Sequence, residues 1–578
     1  MSRIDWIVLI VALFGIIAYG LYKSNSSKNL DGYFLSNRSM PWYLILLSIM
    51  GTQASAITFL SAPGQAFTDG MRFVQYYFGL PLAMVVLCII FLPVFHKLKI
   101  YTAYEFLEKR FDLKTRTLTS FLFLLQRGLS TGISISAPSI ILSSLLGWNI
   151  LWTNILMGGL LIIYTVTGGA KAVAYTQQLQ LIIIFAGMFI AGYMLIHLLP
   201  PGVGMLEALH AGGRAGKLNV ITSGFQNGHF NWNDRYNIWS GIIGGFFLAL
   251  SYFGTDQSQV GRYLTAKSES ESKLGLLLNG IVKVPMQFLI LLLGVLVFVF
   301  YQYAAEPVFF NKTQLDLLSH SKYRDSLQSL ENRYNAGEAK KLAAMHFLGA
   351  QDPAKKSPSV LEAQSTLQSL EIQKQAFRSD IKRWLNDREI RGDDNDTNYI
   401  FLRFVVDYLP KGLIGLLIAV IFLAAWGSIA AALNALASCT IIDFHRRFAQ
   451  KTLTEKKEYD LSKWYTFLWG VFCIVVAQLA YNIGNSLIET VNVIGSLFYG
   501  VILGIFLVAF FLRRVSGNAV FISSILTEAL VIALYVLNQR GEVNLSFLWL
   551  NAVGAIGVIL TSWLLVPFFP ARQGKSLV

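Results

Sequence analysis

Residues 51–64 read GTQASAITFLSAPG. They follow PWYLILLSIM, inside an apolar run long enough to be a membrane helix, yet they carry glycine, glutamine, two threonines and two serines, with Pro63 near the end. In hydrocarbon every backbone polar group needs an internal partner, so irregular backbone is tolerated only where it lines a cavity. The stretch is read as an interruption at Gly51–Ser55 that presents carbonyl oxygens to a small cation. Taken alone, the segment equally suits close helix packing through small residues.

The rest of the chain supports a membrane setting. Of its 578 residues 54% are hydrophobic and 14% charged, against about 25% charged in an ordinary soluble domain. The net charge of +14 lies in short loops between apolar runs, a positive-inside pattern and not a nucleic-acid patch. Cys88, Cys439 and Cys473 all fall in apolar runs, so no disulfide framework is indicated. The leading MSRIDWIVLIVALFGIIAYGLYKS has a weak charged start and no small-residue cleavage site, and is read as a retained first span.

Runs of roughly 20 apolar residues, enough to cross a bilayer, lie near 4–22, 41–66, 73–96, 117–147, 149–168, 173–199, 236–255, 274–302, 402–442, 464–483, 486–512, 517–537 and 544–568. The run at 402–442 is too long for one simple span and implies an extra turn or a tilted lead-in. Lys97, Lys99, Lys109, Arg110, Lys114 and Arg116 crowd one loop. Arg446, Arg447, Lys451, Lys456, Lys457 and Lys463 crowd a second, and Arg513 with Arg514 mark a third. The loops at 147–149 and 484–486 hold no Lys or Arg. With thirteen spans this places the basic loops and the C-terminus in the cytoplasm and the N-terminus outside, in a multi-pass cell-membrane protein.

Residues 303–401 interrupt the pattern with a polar stretch on the side opposite the basic loops. Within it, Leu370, Phe377, Ile381 and Trp384 share one helical face, and an external helical hairpin is expected. The acidic run Asp393, Asp394 and Asp396 lacks the spacing of a calcium loop and reads as a solvated linker. Asn311 and Asn395 stand in N-x-T sequons. No phosphate-cradling loop, zinc motif, nucleophile elbow or paired CxxC is found. An ATP-driven pump and a membrane enzyme are both disfavoured, leaving transport driven by an ion gradient.

Paired interruptions in corresponding spans mark a transporter site. Five spans after GTQASAITFLSAPG, span seven reads GIIGGFFLALSYFGTDQ, again glycine-rich and then polar. Span nine adds AAWGSIAAALNALASCTIID, whose Ala424, Gly427 and Ser428 would supply oxygens suited to sodium, a hard cation.

Together with IYTAYEFLEKRF, GISISAPSIIL, YTVTGGAKAVAYTQQLQ, SYFGTDQSQVGRYLTAKS and ALNALASCTIIDFHRR, in that order and spacing, the sequence resembles the sodium:solute symporter family. The resemblance spans all thirteen runs except 303–401, and its wording is closer to the iodide, monocarboxylate, vitamin and sialic-acid carriers than to the sugar carriers. It implies an all-α leucine-transporter-type fold. The first span and linker would be 1–40, the first inverted repeat 41–199, an external loop 200–235, the second repeat 236–512 around the insert, and two further spans 513–578. It also implies alternating access around a midplane site. Carried over by position, the sodium site would use the carbonyls of Gly51, Ala54 and Ala424 with two hydroxyls from span nine. This chain offers Gly427 then Ser428, so one hydroxyl is missing. Where many relatives have an aspartate linked to a further cation, this chain has Gln177, which argues against that cation.

For the solute, Ser55, Thr58, Gln75, Tyr76 and Tyr252 are polar candidates, Tyr252 matching an aromatic inner gate. Ile57, Tyr77 and Ala249 stand where sugar carriers have acids or amides. Arg127, deep in span four, is expensive in lipid and faces a cavity or a partner; a carboxylate would satisfy its fork. Lys283 matches a lysine common in the family. The expected function is sodium-coupled import of a small organic solute, a carboxylate or other anion, with sodium as the coupling ion and no organic cofactor. A sugar or polyol symporter is the alternative within the class, and a transporter-derived sensor without turnover the alternative outside it. One sodium crossing roughly 100 mV gains about 2.3 kcal/mol and a tenfold gradient about 1.4 kcal/mol, so solute charge and coupling number decide the accumulation together.

Overall fold

Apolar runs become helices here because a helix satisfies its own backbone within the segment. The structure, a computed structural model, describes residues 1–23, 29–349, 358–448, 454–480 and 487–570. Each of the thirteen predicted runs is mainly helical over its described residues, with interruptions in some. Nine described stretches are long and apolar enough, by length and composition, to cross a membrane. The remaining runs are the short helices Trp42–Gln53, Ile150–Val166 and Ser240–Thr255 and the more polar Leu113–Leu146. Strands are confined to a small hairpin pairing Phe225–Gln226 with His229–Phe230. The loop at 484–486, Lys451 and most of the C-terminal tail lie outside the described residues.

One boundary differs from the sequence reading and the overlong ninth run is divided, each for a backbone reason. The fifth and sixth runs form one helix, Ile150–His197, broken at Gly169, where φ is +60° and ψ −174°. The long ninth run divides into Ile400–Tyr408 and Leu413–Cys439. Pro410 holds Leu409 extended (φ −83°, ψ 152°), as a residue before proline prefers, and Gly412 turns with φ +91°.

The 303–401 insert is the expected hairpin: Lys312–Ser319, Arg324–Gly349 and Pro358–Leu385. Ile381 and Leu385 are buried with Val308, Phe309, Leu318, Leu327, Leu330 and Tyr334, and Phe377 and Trp384 pack against them. Leu370 touches the Gly337 position. The acidic run, however, is not solvated. Asp393, Asn395 and Asp396 are buried because backbone donors need their oxygens. Phe310 and Asn311 N–H donate to Asp396 Oδ1 (2.6 and 3.0 Å), and Asn395 N–H to Asp393 Oδ1 (2.9 Å). The sequon residue Asn311 is fully buried as well. The insert is seated on the second span beyond its interruption: Ser61 Oγ donates to Asn398 Oδ1 (2.7 Å), and Thr397 O lies so close that only glycine fits at Gly64.

At the opposite, basic end the motif segments meet. Arg116, fully buried, donates through Nε to Asp443 Oδ1 (2.8 Å) and also pairs with Glu108. Asp443 further accepts from Thr102 Oγ1 (2.8 Å) and Ser120 Oγ (3.0 Å). Glu105 Oε1 caps the Tyr101 and Thr102 N–H groups (2.8 and 3.0 Å).

Candidate functional site

The interruption in the second span falls at Ala54–Ser55, between Trp42–Gln53 and Ala56–Asp69. Ala54 has φ −83° and ψ 82°, close to an inverse γ-turn. Ser55 N–H accordingly donates to Gln53 O (3.1 Å), and Thr58 N–H to Ser55 O (3.0 Å). The i→i−4 ladder therefore skips the Gly51 carbonyl. The seventh span is interrupted in the same manner at Asp256 (φ −77°, ψ 115°), between Gly245–Thr255 and Gln257–Tyr263.

Across the first interruption lies the buried helix Leu413–Cys439. Ser428 Oγ donates to Ala424 O and Ala425 O (3.1 Å each), leaving its lone pairs free to accept a cation. Gln177 bridges the two elements. Its Nε2 donates to Gly427 O (3.0 Å) and Thr52 Oγ1 (3.1 Å), and its Oε1 accepts from Ser48 Oγ (2.7 Å). A Cβ on Gly427 would come 2.6 Å from Gln180 Oε1 and 3.2 Å from Gln177 Cγ; a Cβ on Gly51 would come 2.9 Å from Gln177 Cβ. The two glutamines thus occupy the space beside Gly427 that a larger residue would need, and Gln177 puts an uncharged amide between the spans.

A cavity opens beside this region, lined by Ser55, Thr58, Tyr76, Arg127, Tyr252 and Ser428 among the expected residues. Ile57, Tyr77 and Ala249 line it as well, so its wall lacks a carboxylate or amide at those positions. Tyr76 Oη donates to Asn492 Oδ1 (3.1 Å). Gln75 and Lys283 are not part of this lining. Gln75 turns away and holds the 219–236 loop: its Nε2 donates to Thr222 Oγ1 (3.1 Å) and Tyr236 O (3.0 Å), and its Oε1 accepts from Thr222 N–H (3.1 Å). Lys283 is fully buried behind Tyr77, its Nζ 5.3 Å from that ring's centroid.

Arg127 has an internal partner that the sequence reading did not assign. Its guanidinium lies 3.6 Å from Asp256 Oδ2, at the seventh-span interruption, and 5.8 Å from the Tyr252 ring centroid. Asp256 is already satisfied: it accepts from Ser258 N–H (2.8 Å) and Ser258 Oγ (2.6 Å) on one oxygen and from Tyr499 Oη (2.8 Å) on the other. A charge-assisted bond is about 2.7–2.9 Å, so the guanidinium is neutralised without being tightly bonded to Asp256, and Arg127 Nε has no hydrogen-bond partner among the described residues. Tyr252 is fixed in turn by Gln259 Nε2, which donates to its oxygen (2.7 Å). The arrangement can present guanidinium donors to an anion at the cavity wall, beside a set of hydroxyls and interrupted backbone.

The chain is 24% identical over 575 residues to the sodium/sialic acid symporter SiaT of Proteus mirabilis (strain HI4320), covering 99% of this chain and 96% of that one. It is 25% identical over 506 residues to the sodium-coupled monocarboxylate transporter 1 of Xenopus laevis, covering 86% and 65%. Its fold matches the solved substrate-bound, outward-open state of a Na+-coupled sialic acid symporter, with a TM-score of 0.75 at 23% identity over 99% of this chain and 100% of that one. The sequence model of the sodium:solute symporter family matches residues 33–315 and 382–527, most of the chain, with the gap falling in the helical insert. The protein belongs to the sodium:solute symporter family.

Proposed function

We propose that this protein is a sodium-coupled symporter that carries a small carboxylate-bearing solute across the cell membrane by alternating access. The observation that supports the solute class is a single cavity whose lining joins Ser55, Thr58 and Ser428 to the incompletely bonded Arg127. Sialic acid and monocarboxylates, for which two relatives are named, are both carboxylates, and a planar guanidinium suits that group. Sodium is assigned to the carbonyls of Gly51, Ala54 and Ala424 with the Ser428 hydroxyl. Gln177, in place of an aspartate, favours a single cation, and the absent hydroxyl at Gly427 leaves that cation one protein ligand fewer. The basic loops are assigned to the cytoplasm and the insert to the outside. The chemistry is transport and not catalysis.

The test uses the purified chain in proteoliposomes. A sodium gradient is expected to drive accumulation of a labelled carboxylate, and sodium to raise thermal stability over potassium at equal ionic strength, since a ligand of the folded state stabilises it. Ser428→Ala is expected to weaken both effects. Solute binding without accumulation would overturn the symporter reading in favour of a sensor. Sodium-independent accumulation would remove sodium as the coupling ion.

A further inference from the structure

Along Glu269–Tyr303, Asn279, Lys283 and Gln287 recur every four residues, so their side chains lie one above another on a single helix face. All three are 0% exposed. Their side-chain nitrogen and oxygen atoms find no hydrogen-bond partner among the described residues. The contact recorded for the Lys283 ammonium is the Tyr77 ring. A cation over an aromatic face is worth about 0.5–2 kcal/mol, whereas removing an ammonium from water costs several kcal/mol. The ring does not offset the burial.

The position of this ladder is informative. A Cβ on Gly275 would meet Ile45, and one on Gly294 would meet Pro63, so the helix runs beside the second span in the same direction. By that register Lys283 is level with Gln53–Ala54; Gln53 and Tyr77 line the cavity and Lys283 does not. Gln53 Oε1 is itself buried without a partner. Packing around the ladder is tight, since a Cβ on Gly280 would meet Met84 and Pro81.

We propose that Asn279, Lys283 and Gln287 form a binding site for a small monovalent inorganic anion of the chloride class, behind the interruption of the second span. The ammonium supplies the single compensating charge, and the two amides, each with two N–H donors, supply directional contacts above and below it. A single cation matches a monovalent anion. Close packing excludes bulky ones, and Lys283 lies outside the lining of the solute cavity. The anion would sit on one side of the interrupted backbone and the coupling cation on the other, each lowering the cost of the other's charge.

The test is equilibrium binding of radiolabelled chloride to the purified full chain, with sodium gluconate replaced by sodium chloride at constant sodium and ionic strength. Wild type is expected to bind chloride saturably and to gain thermal stability with it. Lys283→Met is expected to weaken that binding at least about tenfold. The Asn279→Leu/Gln287→Leu double variant, which keeps the ammonium, is expected to weaken it about fivefold or more. Absence of saturable chloride binding by folded wild type overturns the proposal. So does unchanged affinity in Lys283→Met, which would place the anion elsewhere, Arg127 included. If Lys283→Met does not fold, the double variant decides, and wild-type affinity there overturns the proposal.

Discussion

A guanidinium inside a membrane protein needs a reason, and at Arg127 the structure gives two: Asp256, and the cavity wall. They are separable by experiment. Arg127→Ala leaves Asp256 without its cation and is expected to lower stability on the order of 3 kcal/mol, as breaking a buried pair does. Adding Asp256→Asn is expected to recover that stability in a thermal melt. Carboxylate uptake is expected to stay abolished in both variants while sodium still stabilises them; uptake restored in the double variant would make Arg127 purely structural. At Gly427, serine is expected to cost about 1–3 kcal/mol through overpacking against Gln180, and Gln180→Ala to relieve it. Equal stability of Gly427→Ser and wild type would show that the glutamines yield freely. Much of this chemistry was legible: Arg127 declares itself as a charge within an apolar run. Asp256 gave the same signal inside SYFGTDQ but no partner, because its pairing needs the fourth, seventh and eleventh spans brought together. Gln75 is a candidate by its polar side chain and Lys283 by its match to a family lysine, and neither ground says which way a side chain turns.

Among elements, the interruptions and the hairpin follow from local rules. Glycine and polar residues within an apolar run marked Ala54–Ser55, and the helical period marked Phe377, Ile381 and Trp384. The acidic run misled because charge density reads as solvent, whereas Phe310, Asn311 and Asn395 required buried acceptors for their N–H groups. Burial pushes the Asp393 carboxyl up to about 7 and Asp396 up to about 6, from an ordinary value of 3.8. The folded insert therefore holds protons that the unfolded chain releases. Its stability is fully present below pH 4 in this respect and is lost as pH rises through 6 to 7. Asp393→Asn keeps an acceptor for Asn395 N–H and is expected to flatten that decline. Protease protection of 303–401 between pH 5 and 8 measures it, and identical profiles for variant and wild type would refute it.

For the molecule as a whole, the two ends are closed differently. At the basic end, Arg116, Asp443, Glu108 and Thr102 tie the start of the fourth span to the end of the ninth, bringing IYTAYEFLEKRF and ALNALASCTIIDFHRR together. At the other end the insert is held through Asn398 to Ser61, and within it Glu306 ties down Lys374 (3.1 Å) and Arg378 (2.8 Å) of the second long helix. From Lys374 back to Pro358 its second long helix runs on for 16 residues, about 24 Å, through mostly exposed positions. A rigid arm clamped at its base works like the needle of a gauge. Tilting the part of the second span beyond its interruption by about 10° would sweep the needle's tip through about 4 Å, given that arm. A label placed there would display the internal movement on the outside of the protein, far from any bound solute.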